Sequence, residues 1–128
     1  ALGVVVVGVA LLVEQLLPLD EQRTGEVRAW LAVLVGPDDD PVLAATRDAA
    51  WHGTRSLARL VVSDLTGTPP GTDGDPLPEP LETEAAGLHA WIDGLTLQSI
   101  TVPHRFPGDR LRDEVDRRLA SIGDRFTR

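Results

Sequence analysis

The sequence predicts an all-α fold, an antiparallel bundle of about five helices, on three observations. Apolar residues recur at helical spacing in several segments, clusters of Pro, Gly and Asp stand between those segments, and no hairpin signal occurs anywhere. The one β-prone run, Val4 to Val7, has no second strand candidate to pair with.

Residues 1–17 end at Pro18. Their valines favour a strand by propensity, but Ala10, Leu11, Leu12, Leu16 and Leu17 favour helix, and helix is the reading adopted. Asp20 is placed to cap a second helix, in which Val27, Trp30, Leu31 and Leu34 fall at i, i+3, i+4 and i+7 before Gly36-Pro37 stops it. Asp38-Asp39-Asp40 before Pro41 is a helix start, since proline suits the first turn and acids suit the positive end of the helix dipole. From there a long helix runs to about Leu65, with Thr46, Ala50, Leu57, Val61 and Leu65 near one face.

Residues 67–80 hold five prolines and three glycines and exclude both helix and central strand. Such a stretch is a lid or a disordered linker, and its composition favours the linker. A fourth helix from about Pro80 to Val102 carries Leu81, Ala85, Leu88, Ile92, Leu95 and Ser99 on one stripe, with Gly87 and Gly94 seven apart on another side. Pro103 ends it. After Pro107, Leu111, Val115, Leu119 and Ile122 form a narrow seam on a last helix that Gly123 closes.

The 128 residues suit one domain, read as spanning 1–128, with 42% hydrophobic and 25% charged residues. The absence of cysteine excludes disulfides, thiolate zinc sites and cysteine nucleophiles. Twelve basic against twenty acidic residues give a formal charge of -8, which repels phosphate backbones. The apolar run from Ala1 to Val13 is too short to span a bilayer and lacks the positive leader of a secretory signal, so a cytoplasmic protein is expected. The chain contains no methionine and begins inside an apolar run with no cap, which reads as a fragment of a longer polypeptide.

Chemistry is sparse. His89 and Asp93 lie at i, i+4, as do Asp48 and His52, but each pair is half a metal site, and no metal or cofactor is expected. Ser56, Ser63, Ser99 and Ser121 sit in no elbow-like setting and no phosphate-binding glycine loop follows a strand, so no enzyme is expected.

Two stretches narrow the reading. Leu16 to Leu34, LLPLDEQRTGEVRAWLAVL, resembles the part of the tetracycline-repressor-like (TetR) family in which a leucine-rich helix ends at a proline and a "VRAWLAFL"-like helix follows. Leu88 to Ile100, LHAWIDGLTLQSI, is similar to that family's "LLDGLALQAL" signature, with Asp93-Gly94-Leu95 and Leu97-Gln98 in matching places. The likeness covers nearly the whole chain, while the helix-turn-helix that defines the family is missing.

What the resemblance implies is the ligand-binding and dimerisation domain of a transcription regulator that touches DNA only through its missing N-terminal part. The last two helices would pair with those of a second copy, bringing Gly87, Ala90, Gly94, Leu97, Leu111, Val115 and Leu119 to a homodimer interface. A small hydrophobic or aromatic effector would lie between the second, third and fourth helices, with Trp30, Leu34, Trp51, His52, Arg55, His89 and Trp91 as candidates. The intact protein would be a repressor that leaves its operator when the effector binds. The alternative is a helical dimerisation or adaptor domain that binds a protein partner and has no small-molecule site.

Overall fold

The structure, a computed structural model, describes residues 2–126, and residues 2–6 by their backbone alone. Ala1, Thr127 and Arg128, included above in the single domain, lie outside the described residues. The described residues form α1 (Leu2–Glu14), α2 (Glu21–Leu34), α3 (Pro41–Thr66), α4 (Leu81–Thr101), a 3-10 turn (Pro103–Arg105) and α5 (Gly108–Phe126), with no strand. The all-α bundle of five helices expected from periodicity is the fold observed.

The helix starts follow the cap chemistry. Asp20 accepts the Arg23 amide at 2.8 Å ahead of α2. Asp40 accepts the amides of Val42 and Leu43 at 2.9 and 3.3 Å, and Pro41 occupies the first turn of α3, where its missing N–H costs nothing. Gly67 closes α3 with φ 68, a left-handed conformation that glycine adopts without steric cost.

The core lies between α1, α3, α4 and α5. Val9, Val13 and Leu17 pack with Ala58, Val61, Val62 and Leu65 of α3, with Leu81, Ala85, Leu88, Ile92 and Leu95 of α4, and with Leu111, Val115, Leu119 and Ile122 of α5. α3 is the hub, touching all four other α-helices. Its first half stands clear: no residue from Pro41 to Gly53 is buried. Helical spacing there marks a face that the end of α2 covers only in part, beside Leu43 and Arg47.

α2 is the least embedded helix. Val27 is its one buried residue. It is held chiefly at its ends: Arg23 donates to Gln15 at 3.3 Å, and Arg47 of α3 donates to the carbonyls of Val33 and Gly36 at 3.2 and 2.8 Å. A guanidinium at a helix C-terminus satisfies orphan carbonyls and complements the dipole.

The Pro/Gly-rich segment 67–80 is neither a lid nor a free linker. Leu77 is 3% exposed and belongs to the core. The buried guanidinium of Arg59 on α3 reaches Asp73 at 2.6 Å and Glu82 at 2.7 and 3.0 Å, and Glu82 also accepts the Leu77 amide at 3.1 Å. His52 meets Asp73 at 2.6 Å. The segment is therefore a strap tied across α3 and the start of α4. Hydrogen bonds to Arg59 hold the carboxyls of Glu82 and Asp73 below their ordinary range, against the opposing effect of burial.

Candidate ligand cavity

A cavity of about 150 Å³ opens where α2 fails to close against the rest of the bundle. Its walls come from four elements: Gln15 and Leu16 just after α1; Glu26, Val27 and Trp30 of α2; Thr54 of α3; and Ile92, Asp93 and Thr96 of α4. The contributions of α2 and α4 share one spacing, i, i+1 and i+4, which is one face of a helix turned toward the gap. Val27, Thr54, Ile92 and Thr96 are buried and form the floor, while exposed Gln15 and Glu26 mark the mouth. Thr96 reaches the Leu16 carbonyl at 3.5 Å, linking α4 to the end of α1.

The polar wall of the cavity continues into a relay. Asp93 Oδ2 lies 3.4 Å from His89 Nε2. On its other side His89 Nδ1 accepts Arg55 Nε–H at 3.1 Å, so the neutral imidazole carries its proton on Nε2, toward Asp93. Arg55 in turn stacks over Trp51 at 4.6 Å, and Trp51 packs on His89 with ring centroids 5.3 Å apart. Burial pushes the Asp93 carboxyl above its ordinary range, against the pull of His89, and pushes the His89 imidazole below its own, against the pull of Asp93. With its acceptor nitrogen turned to Arg55, His89 offers no base to the cavity.

A family model of the BetI-type transcriptional repressor C-terminal domain matches residues 8–124. The chain belongs to that family. It is thus a TetR-like C-terminal domain, of the effector-binding and dimerisation type, from a transcription regulator. No curated protein and no solved structure matches the chain. No helix among the described residues is long and apolar enough to cross a membrane.

In this BetI-type domain the seven pocket candidates separate into three places. Trp30 lines the cavity. Trp51, His52, Arg55 and His89 form the cluster behind its polar wall, with Trp51 and His52 on an open depression of α3 beside Ala44, Arg47 and Asp48. Leu34 and Trp91 lie away from the cavity, Trp91 beneath Arg118 at 5.8 Å. Sequence reasoning missed Gln15, Leu16, Glu26, Val27, Thr54, Ile92 and Thr96 as lining residues. Asp93 stood out as a partner of His89 in half a metal site and as part of the Asp93-Gly94-Leu95 match, but not as a lining residue, although its spacing from His89 is the signal of the relay.

The seven interface candidates also divide. Leu111, Val115 and Leu119 are 1%, 0% and 0% exposed and pack inside the chain's own core, chiefly against α1 and α3. That corrects the expectation for the α5 seam, because a residue with no exposed surface cannot be reached by a second copy without unpacking the bundle. Gly87, Ala90, Gly94 and Leu97 share an outward face of α4, where Leu97 is 48% exposed.

Proposed function

We propose that this domain binds a small, largely apolar effector in the α1–α4 cavity and pairs with a second copy, as the sensing half of a DNA-binding repressor. The observation that carries the reading is the origin of the walls. Four separate elements meet at one gap, so an occupant that prefers one spacing of α2 against α1 and α4 changes the relative population of the two arrangements. α2 is the element suited to move, because a single buried residue and its end contacts hold it. In the intact regulator a shift at the end of α1 would alter the spacing of two DNA-reading heads and release the operator.

The outward face of α4 supports pairing of two chains. A Cβ built on Gly94 meets nothing within 4 Å, and one on Gly87 meets only Arg118 Nη2 at 3.8 Å. Each glycine costs roughly 1 kcal/mol against alanine in a helix interior, and packing within the chain gives no reason for that cost. Close approach of a second backbone supplies one.

A panel of uncharged and charged aromatic compounds of benzene size, followed through the Trp30 indole N–H resonance, tests the sensor reading. A saturating shift at Trp30, with thermal stabilisation of about 2.7 kcal/mol when ligand stands at a hundred times its Kd, is the expected result. Shifts confined to Trp51 and Trp91 would contradict it. The second reading, an adaptor that binds protein alone, is favoured by one observation: about 150 Å³ lies below the usual 300–1,000 Å³ of ligand pockets. A panel that leaves Trp30 unmoved would select it.

A further inference from the structure

The sequence holds two Asp-Gly pairs, Asp73-Gly74 in the strap and Asp93-Gly94 in α4, and no asparagine. In an Asp-Gly pair the glycine amide readily attacks the carboxyl before it, because glycine has no side chain to obstruct the approach and its backbone bends freely. We propose that Asp73-Gly74 is a site of spontaneous isoaspartate formation, held shut by Arg59 and His52, which converts prolonged opening of the strap into its permanent loss.

The two pairs stand in opposite settings. Asp93 and Gly94 lie inside α4. An interior helical amide is committed to the carbonyl four residues earlier, and the helical backbone keeps it away from the preceding carboxyl. Asp73, Gly74 and Asp75 form an exposed bend outside every helix. The Thr72 amide donates to the Asp75 carbonyl at 2.9 Å, and the Asp75 amide donates to Thr72 Oγ1 at 3.0 Å. Between those two bonds, no acceptor among the described residues takes the Gly74 amide. A Cβ built on Gly74 meets nothing within 4 Å, so no neighbour crowds the bend.

The reaction needs water alone. The Gly74 nitrogen adds to Asp73 Cγ and gives up its proton, and a carboxyl oxygen departs as water, closing a succinimide ring. Water then adds to either ring carbonyl. Opening at Cγ restores aspartate. Opening at the main-chain carbonyl gives isoaspartate, whose backbone runs through the former side-chain methylene. No electrons pass to or from any other group.

The anchoring of the carboxyl itself restrains this step. Asp73 Oδ1 accepts Arg59 Nη1–H at 2.6 Å, and Oδ2 lies 2.6 Å from His52 Nδ1. Cγ cannot turn toward the Gly74 amide without giving up both contacts. The hydrogen bond to Arg59 also favours the ionised carboxyl, which has no leaving group as good as the water lost from a protonated one. Arg59 is fixed in turn by Glu82, which accepts the Leu77 amide. The reaction therefore runs from chains whose strap has opened, at a rate set by their population. In the product the carboxylate sits on a main chain lengthened by the methylene, so the grip of Arg59 is not remade.

The full chain, aged at neutral pH either folded or unfolded in urea, tests this. Isoaspartate is located by enzymatic methyl transfer to its free carboxyl, followed by mass spectrometry of the peptides. At Asp73 it should accumulate about tenfold more slowly in folded wild type than in urea, and about tenfold faster in Arg59→Ala than in folded wild type. His52→Ala, which frees Oδ2 and keeps the Arg59–Glu82 pair, should fall between, and it decides the matter if thermal melts show Arg59→Ala unfolded. Asp93 should remain aspartate in every folded chain. Equal rates at Asp73 in folded and urea-unfolded wild type, or folded variants no faster than wild type, overturn the proposal. Acceleration at Asp93 equal to that at Asp73 overturns it too, because unfolding of the whole chain, and not release of the strap, would then be the cause.

Discussion

Arg59 grips Glu82 through two nitrogens, Nη2 at 2.7 Å and Nε at 3.0 Å from the same carboxylate oxygen, and so joins the middle of α3 to the first turn of α4. Both side chains are largely buried, at 6% and 17% exposure. Removing one partner of a buried pair strands the other, so Arg59→Ala should destabilise the domain by about 3 kcal/mol in urea unfolding. The neighbouring strap should loosen with it, since Asp73 and Leu77 are held through the same cluster.

The acid limb of stability should change as well. The folded carboxyls of Glu82 and Asp73 lie below their ordinary values of 4.5 and 3.8, so the unfolded chain binds protons first as pH drops. Their contribution is complete above those ordinary values and is lost as pH falls through the lowered folded ones. Urea midpoints measured from pH 6 downward should therefore fall less steeply for Arg59→Ala than for the wild type. Parallel curves would show that the cluster contributes no proton linkage.

Gly71 lies within the strap, folded against its far end, where an added Cβ would sit 2.6 Å from the Leu77 amide nitrogen. No flexible side chain can yield there, because the obstacle is backbone. Gly71→Ala should shift the strap and cost about 1–3 kcal/mol, with faster hydrogen exchange at the Leu77 amide. Exchange at Leu77 equal to wild type would mean that the strap tolerates the methyl group.

Asp93 should behave in the opposite sense to Glu82. Its folded carboxyl titrates above the ordinary 3.8, mainly through burial, so the native chain keeps a proton that the unfolded chain has already released. As pH rises through that window stability is lost, and above the raised folded value the penalty is fully present. Asp93→Asn removes the charge, so the variant should melt higher than wild type at pH 7.5, with the gap closing toward pH 4. A variant that melts lower at neutral pH would show that the carboxylate is stabilising.

Much of the architecture was legible because caps and breakers act locally. Asp20 and Asp40-Pro41 each do their work within a few residues, and the sequence places them correctly. The glycine expected to close the last helix, Gly123, lies buried inside α5, whereas the glycine that does cap a helix is Gly67 at the end of α3. The opening valines are helical despite their propensity, because Val9 and Val13 bury a helical stripe against α5 and that burial outweighs the local preference. The seam of α5 was visible as a seam, but periodicity names a face and not its partner. Leu111, Val115 and Leu119 bury against their own chain, as a second copy would have buried them. The strap escaped notice because its anchor, Arg59, lies on a different element and composition alone resembles a linker. The cavity was the least legible feature. It is a gap left by α2, lined by residues of ordinary core type such as Val27 and Ile92, and only Trp30 and Asp93 are distinctive there.

On the outward face of α4, Gly94→Leu should weaken the proposed pairing at least tenfold by filling the space that a second helix would occupy. Sedimentation of the variant against wild type at equal concentration checks it. If no pairing exists, the same change should merely stabilise the chain, as a residue of higher helix propensity in open space.

The most direct test of the two-chain account is the solution mass of the wild-type chain by light scattering across a concentration series. The account predicts twice the 13.8 kDa of one chain, falling toward the single-chain value on dilution or with Gly94→Leu. A mass of one chain at every concentration would contradict it, and Gly87 and Gly94 would then owe nothing to a second copy.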